Sequence, residues 1–167
     1  DKRQKRDFYS RLGILFQDVD SQLFNSTVYD EIAFGPRQLG LTEEVSQRVQ
    51  DTLSLLKIED LRDRVPYQLS GGEKKKVAFA SIMVTNPDVY ILDEPFNNLS
   101  KEYEKFFREL LHELHSAGKT IIMSAHHFKH LHHEKADVLL FEDGKADFFP
   151  AQEVLNNQQV IERLSHY

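Results

Sequence analysis

The chain contains no cysteine, which excludes disulfides and thiolate-ligated metal sites and fits a reducing compartment. It has no apolar run long enough for a membrane-spanning helix and no signal-peptide pattern. It also lacks an excess of positive charge. The net charge is -6, where a nucleic-acid binder usually shows a basic balance. A basic cluster near the start, Lys2, Arg3, Lys5 and Arg6, reads as a solvated helix end. No internal repeat or low-complexity tract occurs, and nowhere does the phosphate-cradling pattern G-x-x-x-x-G-K-[ST] appear. What remains is a chain of 167 residues, 40% hydrophobic and 29% charged, enough to bury one core in an ordinary globular composition.

Hydrophobic patterning predicts alternating strands and helices. Residues 12–16 form a short apolar run, read as a buried strand, followed by a loop from Asp18 to Gln22. Residues 27–34 read as a short helix closed by the breaker pair Gly35-Pro36. Thr42 is a candidate N-cap for a helix through about Ile58, with Val45, Val49, Leu53 and Leu56 on one face. A helix from about Gly71 to Val84 is stopped by Asn86-Pro87. Val89 to Leu92 reads as a strand covered on both faces, because its apolar run is continuous. Ser100 caps the next helix, with Tyr103, Phe107, Leu110, Leu111 and Leu114 on its apolar face, and Gly118 ends it. Thr120 to Ser124 is another buried strand; residues 138–141 and 146–149 flank a hairpin turn, and two short helical stretches follow. The succession implies an α/β fold with parallel strands and crossover helices. The segment from Asp18 to about Ala80 is nearly all helical and is expected to form its own lobe within the one domain of residues 1–167, with 1–17 and 81–167 building the core.

Two runs carry the chemistry: Leu69-Ser70-Gly71-Gly72-Glu73, and Val89-Tyr90-Ile91-Leu92-Asp93-Glu94-Pro95. Residues 74–89 separate Glu73 from Tyr90, enough for one helix and a turn. The first run opens a helix, whose first-turn amides and dipole favour an anion, and glycines let a phosphate approach the backbone closely. The second run brings two adjacent carboxylates to the end of a buried strand, where the open edge of a parallel sheet binds ligands. His126, His127, His130, His132 and His133 form a histidine-rich stretch. On a helix His126, His130 and His133 share a face, but no carboxylate other than Glu134 joins it, so a solvated helix is the favoured reading over a metal site.

Together these runs resemble the signature motif and Walker B strand of ABC-type ATPases. The resemblance implies a P-loop NTPase-like α/β core with a helical subdomain, ATP and Mg2+ as cofactors, and a role for each matching residue. Leu69, Ser70, Gly71, Gly72 and Glu73 would meet the ATP of a partner. Asp93 would hold magnesium, and Glu94 would orient or activate the attacking water. Gln17 fits the Q-loop, where its amide oxygen meets magnesium or that water. His126 fits the switch position that meets the γ-phosphate, with His127 where these proteins usually carry an acid. Phe96, Asn97, Asn98, Leu99 and Ser100 sit at the D-loop, whose usual aspartate is here Ser100; serine caps a helix equally well, so the fold is expected to tolerate it.

The stretch from Gln17 to Phe24, then Thr27 to Pro36, is similar to the ATPase subunits of energy-coupling-factor importers, which take up vitamins and metals such as cobalt and nickel. The implied protein is peripheral on the cytoplasmic face of the membrane. It pairs head to tail with a second ABC ATPase subunit, identical or related, and docks an integral membrane transport subunit near Phe24, Tyr29 and Phe34. The N-terminal part of such a domain, with its aromatic adenine-stacking residue and phosphate loop, is missing from the match, and the regular spacing after Gln17 points to a fragment or truncated product. Without that loop, a non-hydrolytic partner that donates Ser70-Gly71-Gly72 to another subunit's ATP is the alternative. A soluble DNA-repair ATPase shares both motifs, but the chain has no sustained heptads, no cysteine pairs and an acidic balance, so no nucleic acid is expected.

Overall fold

A computed structural model describes residues 8–126 and 136–165. The N-terminal basic cluster and the histidines from His127 to His133 lie outside the described residues. The chain divides into two compact units, Asp1–Met123 and Ser124–Tyr167.

The first unit is built on a three-stranded parallel sheet in the order β1-β2-β3: β1 (Leu12–Leu15), β2 (Val89–Leu92) and β3 (Thr120–Met123). Leu15 pairs with Leu92, and Leu92 with Met123. All three strands therefore end at one edge. Between β1 and β2 the regular elements are helical: α1 (Val28–Leu39), α2 (Val45–Leu55) and α3 (Gly71–Met83), with short 3-10 turns at Val19–Ser21, Glu59–Leu61 and Pro66–Gln68. Helix α4 (Lys101–Ser116) links β2 to β3.

The core lies where α3 and α4 meet the sheet. Phe79 packs edge-on to Phe107, with ring centroids 4.5 Å apart, and beside Tyr90 at 6.0 Å. Val77, Ala78 and Ala80 of α3 are fully buried with Val28, Ile32 and Ala33 of α1. Gly13 allows β1 this close: a Cβ there would lie 2.9 Å from Pro87 Cγ.

Three expectations need correction. Gly35-Pro36 does not close the first helix, which runs on to Leu39 and ends at Gly40 in the left-handed conformation (φ 79°). The glycine is there for packing, since a Cβ on Gly35 would sit 2.8 Å from Thr85 Cγ2 at the far end of α3. Thr42 does not cap the second helix. It lies in a turn closed by Glu44 N–H to Leu41 O at 3.2 Å, and α2 starts at Val45 with Glu44 at the N-cap and no side-chain cap. Val45, Val49, Leu53 and Leu56 are nonetheless buried. Finally, among the described residues one face of the sheet is left open. Ile14, Ile91 and Ile122 are cross-strand neighbours and are 39%, 36% and 55% exposed. The continuous apolar runs record a capacity for burial on both sides.

The second unit is a hairpin, β4 (Val138–Glu142) and β5 (Lys145–Phe149), followed by α5 (Ala151–Asn156) and α6 (Gln158–Leu164). The turn residues Asp143 and Gly144 both have positive φ, 49° and 73°, as a two-residue hairpin requires. Val138, Val154, Val160 and Leu164 form its core. Arg163 joins the strands to α6 through Glu142 at 3.0 Å and Asp147 at 2.5 Å. Among the described residues no helix is long and apolar enough to cross a membrane.

Candidate functional site

The start of α3 is shaped by its own first turn. Ser70 stands at the N-cap in extended backbone and its Oγ accepts the Glu73 N–H at 3.4 Å. Glu73 Oε2 in return accepts the Ser70 N–H at 2.8 Å and the Ser70 hydroxyl at 2.7 Å. This reciprocal pair is a capping box, the local reason that serine and glutamate sit three residues apart before a helix. The Ser70 hydroxyl first, and then its backbone N–H, hold the Glu73 carboxyl below the usual glutamate range. Leu69 is buried and anchors the approach to the helix.

The two glycines differ. A Cβ on Gly71 would meet nothing within 4 Å, so nothing in this chain requires a glycine there. A Cβ on Gly72 would lie 3.3 Å from the backbone oxygen of Asn98. The helix start and the turn after β2 are therefore in contact.

That turn carries the two carboxylates. Asp93 leaves β2 exposed, its N–H donated to Leu15 O at 2.9 Å. Glu94 is buried, 4% exposed, and takes a left-handed backbone (φ 47°) that costs a non-glycine residue about 1–3 kcal/mol. Its Oε2 accepts from Asn97 Nδ2 at 3.1 Å. Asn98 is also left-handed (φ 65°), which asparagine tolerates well. Ser100 then caps α4 by accepting the Tyr103 N–H at 3.3 Å, as serine in place of aspartate was expected to do.

Gln17 lies just beyond β1, exposed at the same sheet edge as Asp93 and Glu94. The loop after it is held by a residue the sequence reading did not single out. Gln22 accepts the Phe16 N–H at 3.1 Å and donates to Ile14 O at 3.2 Å, extending the edge of β1. Asp18 caps the turn that follows, and Asp20 pairs with Lys74 of α3 at 2.6 Å.

Lys75 is the second residue that the reading passed over. It is buried, 4% exposed, with Nζ donating to Glu94 O at 2.7 Å and Asn97 O at 2.9 Å. Burial pulls its ammonium toward the neutral form, while the Glu94 and Asp93 charges oppose that pull. The signal was available: Lys75 falls on the same helical face as Ala78, Phe79 and Ile82. His126 is exposed and belongs to the second unit. Among the described residues no group of histidines and carboxylates is placed to hold a metal ion.

Of the three aromatics expected on an exposed surface, two are exposed. Phe24 and Phe34 are exposed, 66% and 40%, and pack edge-on with centroids 5.0 Å apart. Tyr29 instead lies half-buried beneath the guanidinium of Arg62, 4.9 Å from the ring centroid.

Comparison with known proteins agrees with this geometry. Residues 1–97 match the family described as ABC transporter. The nickel import ATP-binding protein LarO of Lactiplantibacillus plantarum is 50% identical over 130 residues, 77% of this chain and 54% of LarO. The energy-coupling factor transporter ATP-binding protein EcfA of Carboxydothermus hydrogenoformans is 35% identical over 159 residues, 95% of this chain and 59% of EcfA. The structure of CbiO1 from Clostridium perfringens, part of the ABC transporter complex CbiONQ, superposes with a TM-score of 0.78 at 32% identity, covering 98% of this chain and 66% of CbiO1. The chain thus spans between about half and two thirds of the length of these relatives. The family match spans the helix start at Ser70, the carboxylates Asp93 and Glu94, and two of the three strands of the parallel sheet, and the chain belongs to the ABC transporter family.

Proposed function

We propose that this chain is the signature and Walker B portion of an ATP-binding subunit that powers a membrane importer of the energy-coupling-factor type, for a vitamin or for cobalt or nickel. The observation that carries the reading is the close approach of Gly72 to the Asn98 backbone oxygen, which sets the helix start beside the carboxylate turn. The open space at Gly71 supports it further, because the room left there suits a ligand from outside the chain.

The donor set fits magnesium and ATP in part. Asp93 and Gln17 offer hard oxygen ligands at one sheet edge, suited to Mg2+. Ser70, Gly71 and Gly72 offer helix-start amides, suited to phosphate. The bound metal would neutralise charge on the nucleotide's phosphates. Glu94, whose carboxylate accepts from Asn97, would orient a water, His126 would meet the γ-phosphate, and Asn98, Leu99 and Ser100 would lie against a second subunit. A second reading is that the chain serves its partner's nucleotide through Ser70-Gly71-Gly72 and hydrolyses none alone; the open space at Gly71 supports it equally.

In either reading the partners are a second ABC ATPase subunit, met head to tail, and an integral membrane subunit seated at Phe24 and Phe34, with the chain peripheral at the cytoplasmic face. The test is size-exclusion chromatography with light scattering on a mixture of this chain and a full-length homologous subunit. A mixed dimer that forms only with ATP, and is lost in Ser70→Arg, is the expected result. A mixed dimer indifferent to ATP, or none at all, overturns the proposal.

A further inference from the structure

Lys75 lies inside the corner between α3 and the turn that follows β2. That turn holds itself weakly: Asn97 N–H reaches Glu94 O at 3.3 Å and Leu99 N–H reaches Phe96 O at 3.4 Å, both at the long end for a hydrogen bond. Pro95 contributes no N–H to it. The two bonds from Lys75 are shorter, 2.7 Å to Glu94 O and 2.9 Å to Asn97 O, and they are charge-assisted. They grip the turn at both ends. One end is the left-handed backbone of Glu94, a conformation that persists only where its surroundings impose it. The other is Asn97, whose side-chain amide donates to the Glu94 carboxylate at 3.1 Å.

A buried lysine is costly unless its donors are satisfied, and an apolar residue would pack on this face of α3 without that cost. From this geometry we propose that Lys75 is a positioning residue for Glu94: it fixes the carboxylate's backbone directly and its orientation through Asn97, and so ties the signature helix to the Walker B carboxylate. Lys75 is not itself a catalytic residue. Its consequence for ATP turnover rests on the function proposed above; its consequence for the turn does not.

The test has two arms. In the first, hydrogen exchange is followed in the full chain and in Lys75→Met, which keeps the length of the side chain and removes its donors. The amides of Asn97 and Leu99 are expected to exchange about tenfold faster or more, with the later turns of α3 still protected, as for loss of a local constraint. In the second, steady-state ATPase is measured with the homologous full-length subunit. Lys75→Met is expected to lower kcat about tenfold or more with KM for ATP within about twofold, since only the placement of the reacting groups changes. Lys75→Gln, which keeps an N–H donor, should recover part of both effects. Unchanged exchange at Asn97 and Leu99 overturns the inference. So does a rise in KM without a fall in kcat, or a Gln variant no better than Met. If the unmodified mixture hydrolyses no ATP, the ATPase reading falls and the exchange arm alone decides the role of Lys75.

Discussion

Replacing Glu31 tests how the exposed aromatic patch is held in place. Glu31 sits in the first turn of α1, 4% exposed, and its Oε2 accepts three hydrogen bonds: from Phe24 N–H at 3.0 Å, Asn25 N–H at 2.7 Å and Asn25 Nδ2 at 3.2 Å. One carboxylate oxygen thus carries the loop that presents Phe24. Hydrogen bonds to a charged group contribute about 1.5–3 kcal/mol each when buried, but the amides of this half-buried loop regain water when released, so the three together do not add. A carboxylate in the first turn also gains about 0.3–1 kcal/mol from the helix dipole. Glu31→Ala is therefore expected to cost about 3 kcal/mol. At about 2–4 °C per kcal/mol for a chain of this length, Tm falls by about 6–12 °C. Glu31→Gln keeps the acceptor and loses the charge, so it should fall about midway. Thermal unfolding by far-UV circular dichroism at pH 7 measures both, and hydrogen exchange at Phe24 and Asn25 should rise in the same order. A Tm for Glu31→Ala within about 1 °C of the parent would show that the loop is held by something else, and would refute this account of the patch.

Other parts of the structure give further expectations. Ser70→Ala removes the cap of α3 and should cost about 1 kcal/mol by urea unfolding. Because the Glu73 carboxyl titrates below its ordinary range, it contributes stability above the unfolded glutamate value that is lost as pH falls through its lower folded value. Ser70→Ala should flatten that acid limb, and an unchanged slope in the Ala variant would contradict the assignment. The Tyr90 hydroxyl is buried with no hydrogen-bond partner among the described residues, and burial pushes its pKa up to about 12. Tyr90→Phe should thus be neutral or stabilising, and a loss above about 1 kcal/mol in urea unfolding would reveal a bond to the hydroxyl. Phe24→Asp should leave Tm within about 2 °C of the parent, because the ring is exposed, while abolishing co-purification with a membrane subunit; retained co-purification would place docking elsewhere.

The sequence made some of this legible and not the rest, for physical reasons. The start of α3, the helix capped by Ser100 and the hairpin around Asp143-Gly144 all rest on local chemistry, a side chain or a positive φ within a few residues, and each stands where expected. Gly35-Pro36 was misread because its meaning is tertiary. Local rules make the pair a breaker, yet the glycine answers to Thr85, far away in sequence, and only the fold brings them together. The open face at Ile14, Ile91 and Ile122 was misread because an apolar run reports what a strand can bury and not what is present to cover it. At the site, Asp93 and Glu94 announce themselves as adjacent carboxylates after an apolar strand. Lys75 hides in a run of three lysines, of which the other two, Lys74 and Lys76, are half-buried. Its helical phase with Ala78 and Phe79, not its charge, is what distinguishes it.

The most direct measurement is magnesium-ATP binding by calorimetry, first to this chain alone and then to its mixture with a full-length homologous subunit that carries its own phosphate loop. The account predicts little or no binding by the chain alone, and in the mixture a heat of binding beyond that of the homologous subunit by itself, which Ser70→Arg removes. Tight, magnesium-dependent binding by the chain alone, or a mixture indifferent to Ser70→Arg, would contradict it.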